Sequence, residues 1–301
     1  MDLQQMRYVV AVAETRNFTR AAERCFVVQS ALSHRIANLE RELGLKLFAR
    51  TSRRVELTAA GEAFLPAARQ SLEAADRAAA EAAAAVGLVR GRLAVGVIPT
   101  VAAIDVPAAL QHVRERHPDV RISLRVGGSD ELMAQVAAGD LDVAALGLPE
   151  NDRPRGVRAR ELARDRLVAV VAADHPLAGR SRTTLARLAK ETFVDFPAGT
   201  PGRAQSDLAF AAADLARDVA FEVMAPDLMT RIVRQGLAIA LLPSAVTTDS
   251  PGLATIPVTN GPRRVEYLIW SEFNPTPATA AFLTGVAETT KRRIQLNVEL
   301  D

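Results

Sequence analysis

Apolar positions recur at helical intervals as far as Gly91, then give way to alternating strand and helix patterns. Leu32, Ile36, Leu39 and Leu43 follow one another at steps of four, three and four, which puts one apolar stripe on a helix. With about 100° of rotation per residue, Gln29, Ser30, Ser33, His34 and Ala37 share a neighbouring face of small or hydrogen-bonding side chains. Asn17–Cys25 predicts a shorter helix just upstream, in which Ala21 and Ala22 permit a close crossing. Phe26-Val27-Val28 forms the tight connection, so the pair reads as a helix-turn-helix whose second helix fits a DNA major groove. Leu3, Met6, Val10 and Ala13 predict a helix packed beneath both. Leu47–Thr58, carrying Arg50, Arg53 and Arg54, reads as a basic β-wing.

Thr58 stands where a helix N-cap belongs, with Glu62 in the first turn. The alanine-rich run 59–86 then predicts a long helix that needs little tertiary support, closed by Gly87 and Gly91. The domain boundary falls there. Beyond it come strand Leu93–Val97, a helix through Ala109 to Arg116, and strand Val120–Val126. A helix from Leu132 to Ala138 and strand Val143–Leu148 complete a βαβαβ unit. A second run follows: strand Leu167–Ala172, helix Thr184–Ala189, strand Phe193–Phe196, helix Arg203–Ala213, strand Phe221–Val223, helix Asp227–Gln235 and strand Ala238–Leu242. The tail adds strand Val265–Trp270 and a helix from about Pro277 to Thr290, expected to return to the first half.

Charge sharpens this picture. The whole chain carries +2, but residues 16–54 hold nine Lys/Arg against three Asp/Glu, an electrostatic footprint suited to a phosphate backbone. The single cysteine, Cys25, rules out an intramolecular disulfide and suits a reducing compartment. The first residues lack a signal-peptide core and no apolar run reaches membrane-spanning length, so a cytoplasmic protein without membrane contact is expected.

The chain resembles the LysR-type transcriptional regulators. The resemblance rests on Phe18-Thr19-x-Ala21-Ala22, Gln29-Ser30-Ala31-Leu32-Ser33, Leu39-Glu40, Leu43-Gly44, Leu47-Phe48-x-Arg50 and Leu57-Thr58-x-x-Gly61. Looser matches follow at Gly139-Asp-Leu-Asp142, His175-Pro-Leu177 and Gly236–Pro243. It implies an α/β chain with an N-terminal winged helix-turn-helix (1–58), a linker or dimerisation helix (59–87), and a C-terminal two-lobed, periplasmic-binding-protein-like effector domain (88–301). Lobe I is expected at about 88–161 and 271–301, and lobe II at 162–270. It also implies a homodimer or tetramer on an imperfect palindrome in double-stranded DNA, with RNA polymerase as a further partner. Gln29, Ser30, Ser33 and His34 are the candidates for base edges, and Arg50, Arg53 and Arg54 for phosphate or minor groove. Val28, His34 and Cys25 depart from the usual serine, arginine and leucine.

Ligands of open α/β sheets sit beyond the carboxyl ends of the strands. Pro99-Thr100-Val101, Ser129 with Gly127 and Gly128 before it, and Phe196-Pro197-Ala198-Gly199 occupy such ends and are the candidate effector residues. Helix starts there favour an anionic small molecule. Thr100 and Ser129 read equally as N-caps, and Pro197 and Gly199 as turn residues. Enzyme signatures are missing: there is no Gly-x-Ser-x-Gly, Gly-x-x-x-x-Gly-Lys, Gly-x-Gly-x-x-Gly or His-Glu-x-x-His. His34, His112, His117 and His175 are scattered, and neither metal nor cofactor is expected. A solute-binding protein would explain the α/β halves but not the basic front end. Cys25 reads either as a small core residue or, with Arg24 lowering its pKa, as a redox candidate.

Overall fold

The computed structural model describes residues 1–50, 55–246, 251–272 and 275–298; for Arg50 and for 290–298 it describes the backbone only. It divides into two compact units, residues 1–88 and 89–301.

In the first unit, α1 (Leu3–Thr15) starts from a reciprocal capping box between Asp2 and Gln5. Asn17 caps α2 (Phe18–Arg24) by accepting from the Arg20 amide at 3.0 Å, and α3 (Gln29–Leu43) follows the turn. The predicted stripe is the core: Leu32, Ile36 and Leu39 are buried against Val9, Val12, Ala21 and Ala22. Strands β1 (Phe48–Arg50) and β2 (Val55–Leu57) pair antiparallel as the wing, with Phe48 opposite Leu57. Phe48 also meets the Phe18 ring edge-on at 5.8 Å, which ties the wing to α2. The predicted N-cap holds, because Thr58 Oγ1 accepts from the Gly61 amide at 3.0 Å. Helix α4 (Ala59–Ala84) runs 26 residues, and of its side chains only a few are buried.

In the second unit, β3 (Gly91–Val97), α5 (Val106–Arg116), β4 (Val120–Val126), α6 (Ser129–Ala138) and β5 (Val143–Pro149) make the predicted βαβαβ unit, with β3 parallel to both β4 and β5. Strand β4 forms as expected, yet Leu124 and Val126 are exposed because it lies at the sheet edge. The next strand begins earlier than its apolar run. β6 (Arg158–Ala172) spans 15 residues, and its first half is polar and half exposed, so hydropathy alone predicts only Leu167 onward. Then come β7 (Thr183–Thr184), α7 (Leu185–Leu188), β8 (Thr192–Asp195), α8 (Pro201–Ala212), β9 (Asp218–Glu222), α9 (Pro226–Arg234) and β10 (Ala240–Pro243). β11 (Leu253–Ile256), β12 (Val258–Thr259), β13 (Arg263–Trp270) and α10 (Pro277–Val298) complete the chain.

Strand β6 belongs to both lobes. Its first half pairs with β13, and its second half carries β10 and β11. β13 pairs over its length with β5, so residues 263–270 stand in the first lobe's sheet and not, as their position in sequence suggested, in the second. Helix α10 does return to that lobe: Ala278, Phe282 and Val286 are buried with Val106, Ala109 and Val113. No helix among the described residues is long and apolar enough to cross a membrane.

Candidate functional site

Burial of Leu32, Ile36 and Leu39 leaves α3 with an outward face on which Gln29, Ser30 and His34 are exposed and Ser33 is half-buried. The four predicted reading residues therefore stand together. His34 Nδ1 lies 3.4 Å from the Asn38 side-chain nitrogen one turn on. The Arg50 backbone is in β1, while its side chain, and all of Arg53 and Arg54, fall outside the described residues.

Glu40 organises the wing. It follows Leu39 on α3, and its side chain is only 2% exposed. Oε1 accepts from the Leu47 and Phe48 amides at 2.9 and 3.2 Å, and Oε2 from Lys46 Nζ at 2.9 Å. Burial pushes this carboxyl up, but the Lys46 bond and the two amides outweigh it and hold the pKa below the ordinary value. Thr58 Oγ1 donates to the Lys46 carbonyl at 2.5 Å and closes the hairpin from its other end.

Cys25 contradicts the expectation drawn from its basic neighbour. The thiol is half-buried against the helical core, and burial pushes its pKa up despite Arg24 and Arg7. Arg24 is itself engaged, with Nη1 2.7 Å from Glu14.

A cleft between the lobes of the second unit encloses about 430 Å³ of space, its open mouth included. The first lobe supplies Pro99, Thr100, Ser129 and Gly147, and the second Phe196, Thr200, Gly202 and Gln205. Of the predicted effector residues, Pro99, Thr100, Ser129 and Phe196 line it. Val101 instead packs against the first lobe's cores, and Pro197, Ala198 and Gly199 are not among the lining residues. Those three make the turn before α8: Gly199 has φ +79°, and Thr200 Oγ1 donates to the Pro197 carbonyl at 2.8 Å while accepting from the Arg203 amide.

Neither expected cap is one. Ser129 Oγ donates to the Gly147 carbonyl at 3.0 Å and accepts from the Gly147 amide at 3.1 Å, fastening the start of α6 to β5. The N-cap of α6 is Gly128, which has no side chain to offer. Thr100 Oγ1 and its carbonyl both accept from Arg264, at 2.9 and 3.1 Å.

Arg264 is the residue that sequence reasoning missed. Its guanidinium is buried in the cleft wall, 2.5 Å from Glu266 and 3.5 Å from Asp165. Burial pulls its pKa down, against the pull of those two carboxylates. Glu266 also accepts from the Ala102 and Ala103 amides, so this charge is spent within the protein. A signal did exist, because Arg264 and Glu266 alternate with Val265 and Tyr267 and so face one side of a strand that is apolar from Tyr267 onward. Gly147 carried another, since a glycine inside a strand marks a close approach. A Cβ there would lie 2.8 Å from Ile98 Cδ1.

Behind Phe196, Asp195 and Arg217 form a buried pair 2.6 Å apart, with the guanidinium over the rings of Phe193 and Phe210. Burial pushes the Asp195 carboxyl up even beside Arg217. Arg203 donates to the Phe196 carbonyl and to Glu222, both at 3.2 Å, so the first turn of α8 is held from behind the cleft.

Comparisons with known proteins match both parts of the chain. The family model "Bacterial regulatory helix-turn-helix protein, lysR family" matches residues 3–62, and "LysR substrate binding domain" matches 87–291. The Hca operon transcriptional activator HcaR of Escherichia coli is 32% identical over 292 residues, covering 96% of this chain and 98% of that one. Among solved structures, a full-length OxyR variant from Pseudomonas aeruginosa superposes with a TM-score of 0.75 at 25% identity, covering 97% of this chain and 95% of that one. Full-length CbnR in complex with its target DNA gives a TM-score of 0.66 at 27% identity, covering 96% of this chain and 100% of that one.

Proposed function

The chain belongs to the LysR family of transcriptional regulators, and on that premise we propose that a small anionic molecule held between its lobes modulates how its winged helix-turn-helix binds promoter DNA. The observation that carries this reading is a cleft lined by both lobes on which two helix starts open, Gly128-Ser129 of α6 and Thr200–Gly202 of α8. First-turn amides have no partner inside their own helix, so they favour an anion. Arg264 does not supply the attraction, because Glu266 and Asp165 already match it. Ile98, Leu167, Phe196 and Met224 give the ligand body an apolar wall.

The regulator is a non-enzymatic, cytoplasmic protein acting with RNA polymerase. It sits as a homodimer or tetramer on an imperfect palindrome, and the exposed alanine-rich α4 supports such a dimer. Gln29, Ser30, Ser33 and His34 read bases, and Arg50, Arg53 and Arg54 meet the backbone. Two measurements test this on the full-length chain. Small mono- and dicarboxylates are screened for a shift in melting temperature, and those that bind should change affinity for a duplex selected from a random-sequence pool. Thr100→Val should remove that response while leaving ligand-free DNA affinity within a few-fold. Arg53→Ala should weaken all sequences and lower the salt slope, whereas Gln29→Ala should relax sequence preference. A panel in which no carboxylate alters melting or DNA binding defeats the anionic reading.

A further inference from the structure

Two residues of the turn before α3, Phe26 and Val28, are ones the fold does not ask for. The turn after α2 has paired backbone bonds, Val27 N–H to the Ala22 carbonyl at 3.0 Å and Phe26 N–H to the Glu23 carbonyl at 3.1 Å. This is a Schellman closure, and its left-handed position suits glycine or asparagine. Here it holds Phe26, at φ +55°. A phenyl side chain gains nothing for the fold there, because it is 95% exposed. Val28 then takes the N-cap position of α3, where serine, threonine, asparagine or aspartate would bond the first turn. It makes no such bond and is 69% exposed. Local rules are thus broken twice within three residues, and such breaks collect at functional sites.

Both side chains are exposed and lie within four residues in sequence of Gln29 and Ser30, which open the helix that reads DNA in this family, in a segment of strong positive charge. The partner of that helix is a duplex. The one apolar group that its major groove presents to an entering helix is the thymine C5-methyl. We infer that Phe26 and Val28 form an apolar contact specifying thymine in each half-site, next to the hydrogen-bonding positions of α3. The inference rests on the DNA-binding reading above and adds the base it selects. Serine at 28 or asparagine at 26 would suit cap and turn better, and would give up that selectivity.

The test uses the full-length chain and the duplex it selects from a random-sequence pool. Each thymine is replaced by deoxyuridine, which removes only the methyl. At one or two positions per half-site wild type should lose about fourfold in affinity per methyl, the factor expected for one buried apolar carbon. Phe26→Asn and Val28→Ser should bind the thymine and uracil duplexes equally. Both variants change exposed side chains, and melting curves check that they remain folded. A uracil scan without effect on wild type, or an equal uracil penalty in wild type and both variants, overturns the inference and leaves the DNA-binding reading standing. Failure of wild type to select any sequence overturns both. A change in oligomeric state of Phe26→Asn without DNA would assign the phenyl to a protein contact, and that too overturns it.

Discussion

Replacing Glu40 tests whether the wing is held by a buried carboxylate. Glu40→Ala takes the acceptor from two amides, Leu47 and Phe48, which bond no other side-chain oxygen among the described residues. Each buried donor left unmade costs about 1–3 kcal/mol. Loss of the carboxylate's own desolvation penalty offsets part of this, so a net loss of about 3 kcal/mol is expected from the first unit. Glu40→Gln keeps an oxygen on those amides and turns its amino group toward Lys46, whose side chain is 75% exposed and free to swing away. That change should cost about 1 kcal/mol, the difference between a charged and a neutral acceptor. The pH dependence follows from the lowered pKa. Stability from this carboxylate is fully present above the unfolded value, about 4.3, and is lost as pH falls through the lower folded value. The wild-type advantage over Gln should therefore narrow only in acid. Urea unfolding followed by far-UV circular dichroism reads the loss. The only tryptophan, Trp270, lies in the second unit, so its fluorescence should report an unchanged transition. Equal losses for Gln and Ala at neutral pH, with no narrowing in acid, would refute the argument.

Gly61→Ala would place a Cβ 2.2 Å from the Leu47 carbonyl, so the usual helix gain of about 1 kcal/mol should reverse into a loss of about 1–3 kcal/mol; a raised melting temperature would disprove it. Ser129→Ala strips the buried Gly147 amide of its acceptor and should destabilise the second unit by about 1–3 kcal/mol, read in the Trp270 transition. An unchanged transition would return Ser129 to the role of a ligand contact alone. Because burial raises the Cys25 pKa, mild peroxide at neutral pH should leave DNA binding and the mass of the Cys25 peptide unchanged. Loss of binding that a reductant restores, absent in Cys25→Ser, would reinstate the redox switch.

What could be read from the sequence was set by neighbours close in the chain. The stripe Leu32, Ile36, Leu39 specifies α3 and thereby turns Gln29, Ser30 and His34 outward, because helical geometry links residues three and four apart. The alanine run specifies α4 by propensity, and the strand ends at Pro99-Thr100, Ser129 and Phe196 follow from the α/β rhythm. Tertiary contacts decided the rest. Thr100 and Arg264 are 164 residues apart, and only the pairing of β13 with β5 and β6 brings the guanidinium to the cleft. Lobe membership of 263–270 was decided by the same pairing, which sequence order does not encode. Charge states were the least accessible. Arg24 beside Cys25 promised a lower thiol pKa, and nothing in the helical pattern assigned Glu40 a structural role. Burial raised the first, and Lys46 with two backbone amides from the wing lowered the second. Each balance of desolvation against local donors depends on groups that only folding brings into contact.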